Sequence, residues 1–370
     1  MDITTLHAVR RFPLLGRPLP ACPSPQDRIK EITESAAEHP GTDGMHQAAH
    51  ALNKAALLAG DCGLADLAHD LCWQHINIYR QAGPRLTVLQ ARYMIEPVLN
   101  LARLHIRADN GDQALRLLDA LYQAVTAHAD LIVEGHTLPL ADLVGTRQEH
   151  HKLREWVWLQ YLADGVRALA MVGRWDEAVT HARVHSGIGT HLMEGRQAEI
   201  IAHCLHGARQ TARIILQECE LTEPWERQVA ACLNVMCSNT NGTSDSRDVT
   251  AMVGQFLGST PVPGYAVYRA RLGLTVTTLA GATDPIVADR LLARTMAETI
   301  ASGDGYAARD VLGSAISLTS RPRKALARLV TSAGLGAAVL AEPLLGSLTT
   351  SAELATEALA RSMLGAAQRT

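Results

Sequence analysis

Four times along the chain a glycine stands five residues before an alanine, and small or apolar residues mostly follow that alanine at +4 and +7. The copies are Gly63/Ala68/Cys72/His75, Gly173/Ala178/Ala182/His185, Gly207/Ala212/Leu216/Cys219 and Gly303/Ala308/Leu312/Ala315. A fifth, Ala114/Leu118/Leu121, has Asp109 in the glycine place. Positions i, i+4 and i+7 form one face of an amphipathic helix. Glycine interrupts the chain ahead of it, and alanine at the head of the stripe lets a paired helix approach closely. The pattern predicts the second helix of a helix–turn–helix unit, repeated along the chain.

The same periodicity places helix pairs at 45–59 with 64–80, 86–108 with 112–129, 147–172 with 174–186 and 191–206 with 208–220. Ser24-Pro25-Gln26-Asp27 predicts a helix start with serine as N-cap and proline in the first turn. Further starts fall at Thr222-Glu223-Pro224-Trp225, at Asp284-Pro285 and at Thr350-x-x-Glu353. The stretch 130–145 breaks the pattern. Leu131-Ile132-Val133 and His136-Thr137-Leu138 flank the two-residue turn Glu134-Gly135, which predicts a short β-hairpin near 130–141. Thr146-Arg147-Gln148-Glu149 is then a capping box that restarts the helix.

Three regions follow from these breaks. Residues 1–44 hold an irregular, proline-rich arm and a first helix, ending in the Gly/Pro/Asp segment "HPGTDG". Residues 45–237 carry the repeats, and the polar run 238–247 separates them from a helical lobe at 248–370. The uncharged run Leu329–Ala341 is too short to cross a bilayer and reads as a buried helix.

Ala178 and Ala212 are 34 residues apart, and the turn "GRWDEAV" precedes the second helix of that unit. In this period and turn, residues 147–228 resemble the tetratricopeptide repeat family, with weaker matches at 45–129 and 285–318. The resemblance implies an all-α, right-handed α/α superhelix whose first helices line a concave groove. It implies no chemistry.

Composition adds limits. Aromatic residues make up only 4% of the 370 residues, and the net charge of −3 leaves no basic face required for nucleic acid. Seven cysteines without a CxxC pair or a signal peptide read as reduced thiols of a cytoplasmic protein. His181 and His185 are four apart with His191 beyond them, but no further ligand spacing accompanies them, so no metal and no cofactor is expected.

Counting back from each alanine puts particular first-helix residues on the groove side. They are His50 and Asn53; Glu96, Asn100, Arg103 and Arg107; Gln160, Asp164 and Arg167; and Glu194, Arg196 and Gln197. Carboxamides can satisfy a backbone N–H and C=O together, and guanidinium forks hold carboxylates or phosphates. Arg103 and Arg167 share a register, so together they are expected to face an anionic group. The same residues would equally form solvated faces or inter-helix ion pairs. The expected function is therefore a binding or adaptor protein that takes a peptide or protein segment, as a regulator or as an accessory to a biosynthetic pathway. The alternative is an enzyme on an α/α scaffold, with a polar Arg/Asp/His pocket in the N-terminal half. Buried, mutually bonded Arg and Asp in a closed pocket would favour the enzyme.

Overall fold

In the computed structural model, residues 3–37, 42–83, 85–238, 245–314 and 316–367 are described. The helices are α1 (Ile3–Val9), α2 (Pro25–Ala36), α3 (Thr42–Asp61), α4 (Ala65–Gln81), α5 (Val88–Arg107) and α6 (Gly111–Ala127). The hairpin β1 (Leu131–Val133) and β2 (His136–Leu138) follows. Then come α7 (Arg147–Met171), α8 (Trp175–Val184), α9 (Glu194–Leu205), α10 (Arg209–Gln217), α11 (Pro224–Ser238) and α12 (Ser246–Gly258). The last are α13 (Ala266–Gly281), α14 (Pro285–Ser302), α15 (Gly305–Leu312), α16 (Ser320–Ser332) and α17 (Glu342–Ala367). At 73% helix the protein is all-α.

The repeat pattern has a direct structural cause. Gly63, Gly173, Gly207 and Gly303 all adopt left-handed backbone, with φ between 67° and 82°, and Asp109 in the fifth glycine place does the same at 59°. This is the conformation that ends one helix and turns the chain into the next. Five residues on, Ala68, Ala114, Ala178, Ala212 and Ala308 are each at most 1% exposed. The stripe behind them is less uniform. Cys72, His75, Leu118, Leu121, Ala182 and Leu216 are buried, but His185, Cys219 and Leu312 are only half-buried, and Ala315 lies outside the described residues.

Caps are present at three of the helix starts that the sequence announces. Ser24 accepts from Asp27 N at 3.2 Å, and Asp284 accepts from Ile286 N and Val287 N. Thr146 and Glu149 form the reciprocal box, with Thr146 N donating to Glu149 Oε2 at 2.7 Å and Glu149 N to Thr146 Oγ1 at 3.3 Å. The hairpin pairs Leu131 with Leu138 and Val133 with His136, its turn carrying positive φ at both Glu134 and Gly135. Side chains of α4 hold it down: His69 and Trp73 both bond Glu134 Oε2, and Arg80 Nε donates to Thr137 O.

The chain forms two compact units, each built from two stretches: Met1–Cys22 with Val166–Ala333, and Pro23–Gly165 with Gly334–Thr370. The division is not sequential. The polar break at 238–247 lies mostly outside the described residues, and both its flanks belong to the first of these units.

Three expectations need correction. Residues 3–9 of the arm, expected to be irregular, form the short helix α1, and the arm beyond it is built into its unit. Phe12 and Leu14 are buried there, and Gly16 lies so close to the Trp225 ring that an added Cβ would stand 2.2 Å from Cγ. The run 329–341 is not one helix: α16 stops at Ser332, and Gly334, Gly336 and Ala338 turn through left-handed backbone. There Gly336 N donates to Asp61 O at 2.8 Å and Ala338 N to Cys62 O at 2.7 Å. Finally, no helix starts at Thr350, because α17 runs unbroken from Glu342. Its Thr349 and Ser351 hydroxyls bond the carbonyls four residues back within the helix.

In the Pro23–Gly165/Gly334–Thr370 unit, α17 closes the core by packing Leu348, Ala352, Ala355, Leu359 and Met363 against α2, α3 and α4. Asp61, at the end of α3, anchors this closure. Its carboxylate accepts from Arg28 on α2 and Arg107 on α5, each at 2.9 Å, while its carbonyl receives the returning loop. Asp61→Ala leaves two guanidiniums without that acceptor. It is expected to cost roughly 3–5 kcal/mol, the range for breaking a buried ion pair. Denaturant unfolding checks this, and a loss under about 1 kcal/mol would show that the loop and α17 hold without it.

Candidate functional site

Polar side chains concentrate on one face of the three first helices α3, α5 and α7, within the Pro23–Gly165/Gly334–Thr370 unit. Along α5 they fall at the adjacent Arg92 and Tyr93 and then at Glu96, Asn100, Arg103 and Arg107, each of these three or four residues beyond the one before, as one helical face requires. On α3 the facing positions are His46, His50 and Asn53, and on α7 they are Trp156, Gln160 and Asp164.

These residues meet in rungs. His46 Nδ1 and the Tyr93 hydroxyl share a hydrogen bond of 3.1 Å, and the His46 ring stacks on His50. One turn along, Asn100 Nδ2 donates to Asn53 Oδ1 at 2.6 Å. At the far end Arg107 reaches Asp61. Toward α7, the Arg92 guanidinium lies over the Trp156 ring at 5.0 Å. Arg103 donates through Nε to Asp164 Oδ2 at 3.1 Å, to Gln160 Oε1 at 3.0 Å and to Asn100 Oδ1 at 3.4 Å. Asp164 and Asn100 are buried, whereas the Arg103 side chain is 36% exposed.

Glu96 stands at the centre of this face, between the His46–Tyr93 and Asn53–Asn100 rungs. Among the described residues it accepts no hydrogen bond and forms no ion pair. Burial pushes its carboxyl above the usual carboxylate range, against the opposing pull of Arg92, His46 and Arg103. Burial likewise raises the Tyr93 phenol and lowers the His50 imidazole, the latter helped by Lys54 and His46. Beneath them on α4, the Tyr79 hydroxyl and both nitrogens of His75 are buried without a hydrogen-bond partner among the described residues. Burial alone takes the His75 imidazole down to about 3, so it stays neutral. Each orphaned group costs about 1–3 kcal/mol, a sizeable strain to place under one face.

The remaining residues singled out from the sequence lie elsewhere. Arg167 is exposed on α7, three residues past Asp164, and belongs to the other unit. Glu194 and Gln197 are buried on α9. Gln197 accepts from Leu14 N and donates to Leu14 O, each at 2.8 Å, and also donates to Leu192 O. Its carboxamide does what a groove carboxamide was expected to do, but for the protein's own arm. Glu194 pairs with Arg17 of that arm, and Arg196 is taken up by Gly189 O and Glu199. The His181 and His185 rings are 5.1 Å apart, while His191 bonds Glu226.

His46, Arg92, Tyr93 and Trp156 were missed as members of the face. A signal for them exists: His46–Tyr93 and Asn53–Asn100 are both 47 residues apart, close to the spacing between the alanines of those repeats. A crevice of about 110 Å³ between α4 and α17 is lined by Leu67, Asp70, Leu71, Gln74, Leu348, Thr349, Ala352 and Glu353. It brings no cation or imidazole to its carboxylates.

Against family models, curated proteins and solved structures, the chain finds no match. Among the described residues, no helix is long and apolar enough to cross a membrane.

The Arg103–Asp164 contact decides whether this arginine is structural. A double-mutant cycle of Arg103→Ala and Asp164→Asn, read by denaturant unfolding, is expected to give a coupling of roughly 1–3 kcal/mol. A coupling near zero would leave the guanidinium energetically available to a ligand instead.

Proposed function

We propose that the chain is an α-solenoid binding protein of tetratricopeptide-like build, whose first helices α3, α5 and α7 hold a peptide or protein segment against their polar face. Glu96 carries the reading. The other polar residues of the α5 stripe, Arg92, Tyr93, Asn100, Arg103 and Arg107, each touch a neighbouring helix. The carboxyl at their centre is instead left partly desolvated without a donor. An N–H or O–H brought by another molecule would satisfy it. Backbone amides of an extended segment supply such donors at regular intervals, and the N–H groups that Arg103 does not spend on Asp164, Gln160 and Asn100 suit a carbonyl or carboxylate of the same segment.

The treatment of the N-terminal arm supports this reading. Gln197 holds Leu14 through both backbone polar groups, so this fold already reads an extended segment with a carboxamide. In this reading the repeats form a right-handed superhelix, the protein works in the cytoplasm without cofactor, and its partner is neither nucleic acid nor membrane.

Catalysis on the same face is the second reading. A carboxyl with raised pKa near an imidazole and a phenol has the composition of an acid–base set. The two readings separate on the state of the bound peptide: recovered intact it supports binding, recovered cleaved or modified it supports the enzyme.

Glu96 also makes a pH-dependent prediction. Its folded pKa is raised, so above the usual carboxylate range the folded chain retains a proton that the unfolded chain has lost, and stability falls as pH rises through that window. Glu96→Gln removes the partly desolvated charge. At pH 8 it is expected to raise the melting temperature, and the gain is expected to shrink as the pH falls into the usual carboxylate range, as thermal melting across that pH window checks. The same variant is expected to weaken binding of peptides selected from a displayed random library by roughly 1.5–3 kcal/mol, measured by calorimetry. Higher stability with unchanged affinity would place the ligand away from this face.

A further inference from the structure

Two buried thiols of the Met1–Cys22/Val166–Ala333 unit lie in contact. Cys204 is the penultimate residue of α9 and Cys237 the penultimate residue of α11. Their sulfurs are 3.6 Å apart and share a hydrogen bond. The side chains converge from two different helices, 33 residues apart in the chain. A disulfide needs about 2.05 Å between sulfurs, so closure asks for an approach of roughly 1.5 Å, within reach of small side-chain rotations. Both thiols sit in the last turn of their helices. The two residues are only 5% and 4% exposed, so a small reagent reaches the sulfurs through local opening.

We propose that Cys204 and Cys237 form an oxidative modification site that closes to a disulfide on meeting a hydroperoxide. Cys204 is the attacking sulfur. The S–H of Cys237 donates to it and Arg209 lies near, and both hold its thiol below the ordinary cysteine range; in return the contact and burial push the Cys237 thiol up. The Cys204 thiolate attacks the terminal peroxide oxygen. The S–O bond forms, the O–O bond breaks, and the leaving alkoxide or hydroxide takes up the proton lost from Cys204. Cys237 then attacks the sulfenic sulfur, the S–S bond forms, and the hydroxyl departs as water with the proton of Cys237. Two thiols lose two electrons in all, and one hydroperoxide is reduced to an alcohol, or to water if it is hydrogen peroxide. The product ties the end of α9 to the end of α11 across α10 and restricts the unfolded chain.

Cys219 supplies an internal control. It is half-buried just past the end of α10, and among the described residues its thiol donates to Ile215 O of that helix. The full chain, freed of reductant, is treated with a few equivalents of hydrogen peroxide, unfolded in an alkylating agent and mapped by mass spectrometry. The expected result is a Cys204–Cys237 linked peptide, two hydrogens lighter than the reduced pair and restored by dithiothreitol. It should form before Cys219 is oxidised to sulfinic acid and should raise the melting temperature by several degrees. In Cys237→Ser, dimedone is expected to trap a sulfenic acid on Cys204. Oxidation of Cys219 while Cys204 and Cys237 both remain alkylatable would overturn the proposal. The wild-type map decides this even if the variant does not fold.

Discussion

One buried carboxylate governs the Pro23–Gly165/Gly334–Thr370 unit. Asp61 ends α3 with its side chain almost fully enclosed, and it is tolerable there because guanidiniums from α2 and α5 both reach it. Its own carbonyl and that of Cys62 receive the loop at 336–338, which returns the chain from more than 270 residues away in sequence. The loop fits because Gly334, Gly336 and Ala338 turn through left-handed backbone. Only with this return in place does α17 lie along α3 and complete the apolar core. Helix register, chain return and core closure thus share one ionic centre.

The same arginine chemistry continues along α5, but its meaning changes from end to end. Arg107 and Arg103 are committed to buried carboxylates, which is what interior charges need. Glu96 is the exception, a partly desolvated acid without a donor among the described residues, near a tyrosine and a histidine whose polar atoms also lack hydrogen-bond partners among them. A face that carries so much uncompensated polarity is less stable than an apolar one would be. Such a cost is expected where function, rather than folding, selects the residues.

The two units use their polar residues differently. In one, the α9 carboxamide and carboxylate that read as groove residues are consumed by the protein's own arm. In the other, the α3/α5/α7 face keeps exposed members around a buried network. The chemistry of the residue types was legible in advance, because a carboxamide binds backbone wherever it meets one. Which backbone it meets depends on where a distant segment lies.

By itself the sequence determined what local physics controls. The glycine or aspartate five before each buried alanine marks a left-handed turn, because these residue types adopt that backbone at least cost. The caps at Ser24, Thr146 and Asp284 and the Glu134-Gly135 turn follow from side chains a few residues from the groups they satisfy. The face at Glu96, Asn100, Arg103, Gln160 and Asp164 was also visible, since helical spacing alone aligns it. Tertiary structure decided the rest. Helical spacing could not say that Gln197 would clasp Leu14, that Asp61 would bind two arginines, or that the apolar run at 329–341 would break into a loop carrying α17 home. Those outcomes depend on contacts between residues far apart in the chain, and no local pattern encodes which distant partner arrives.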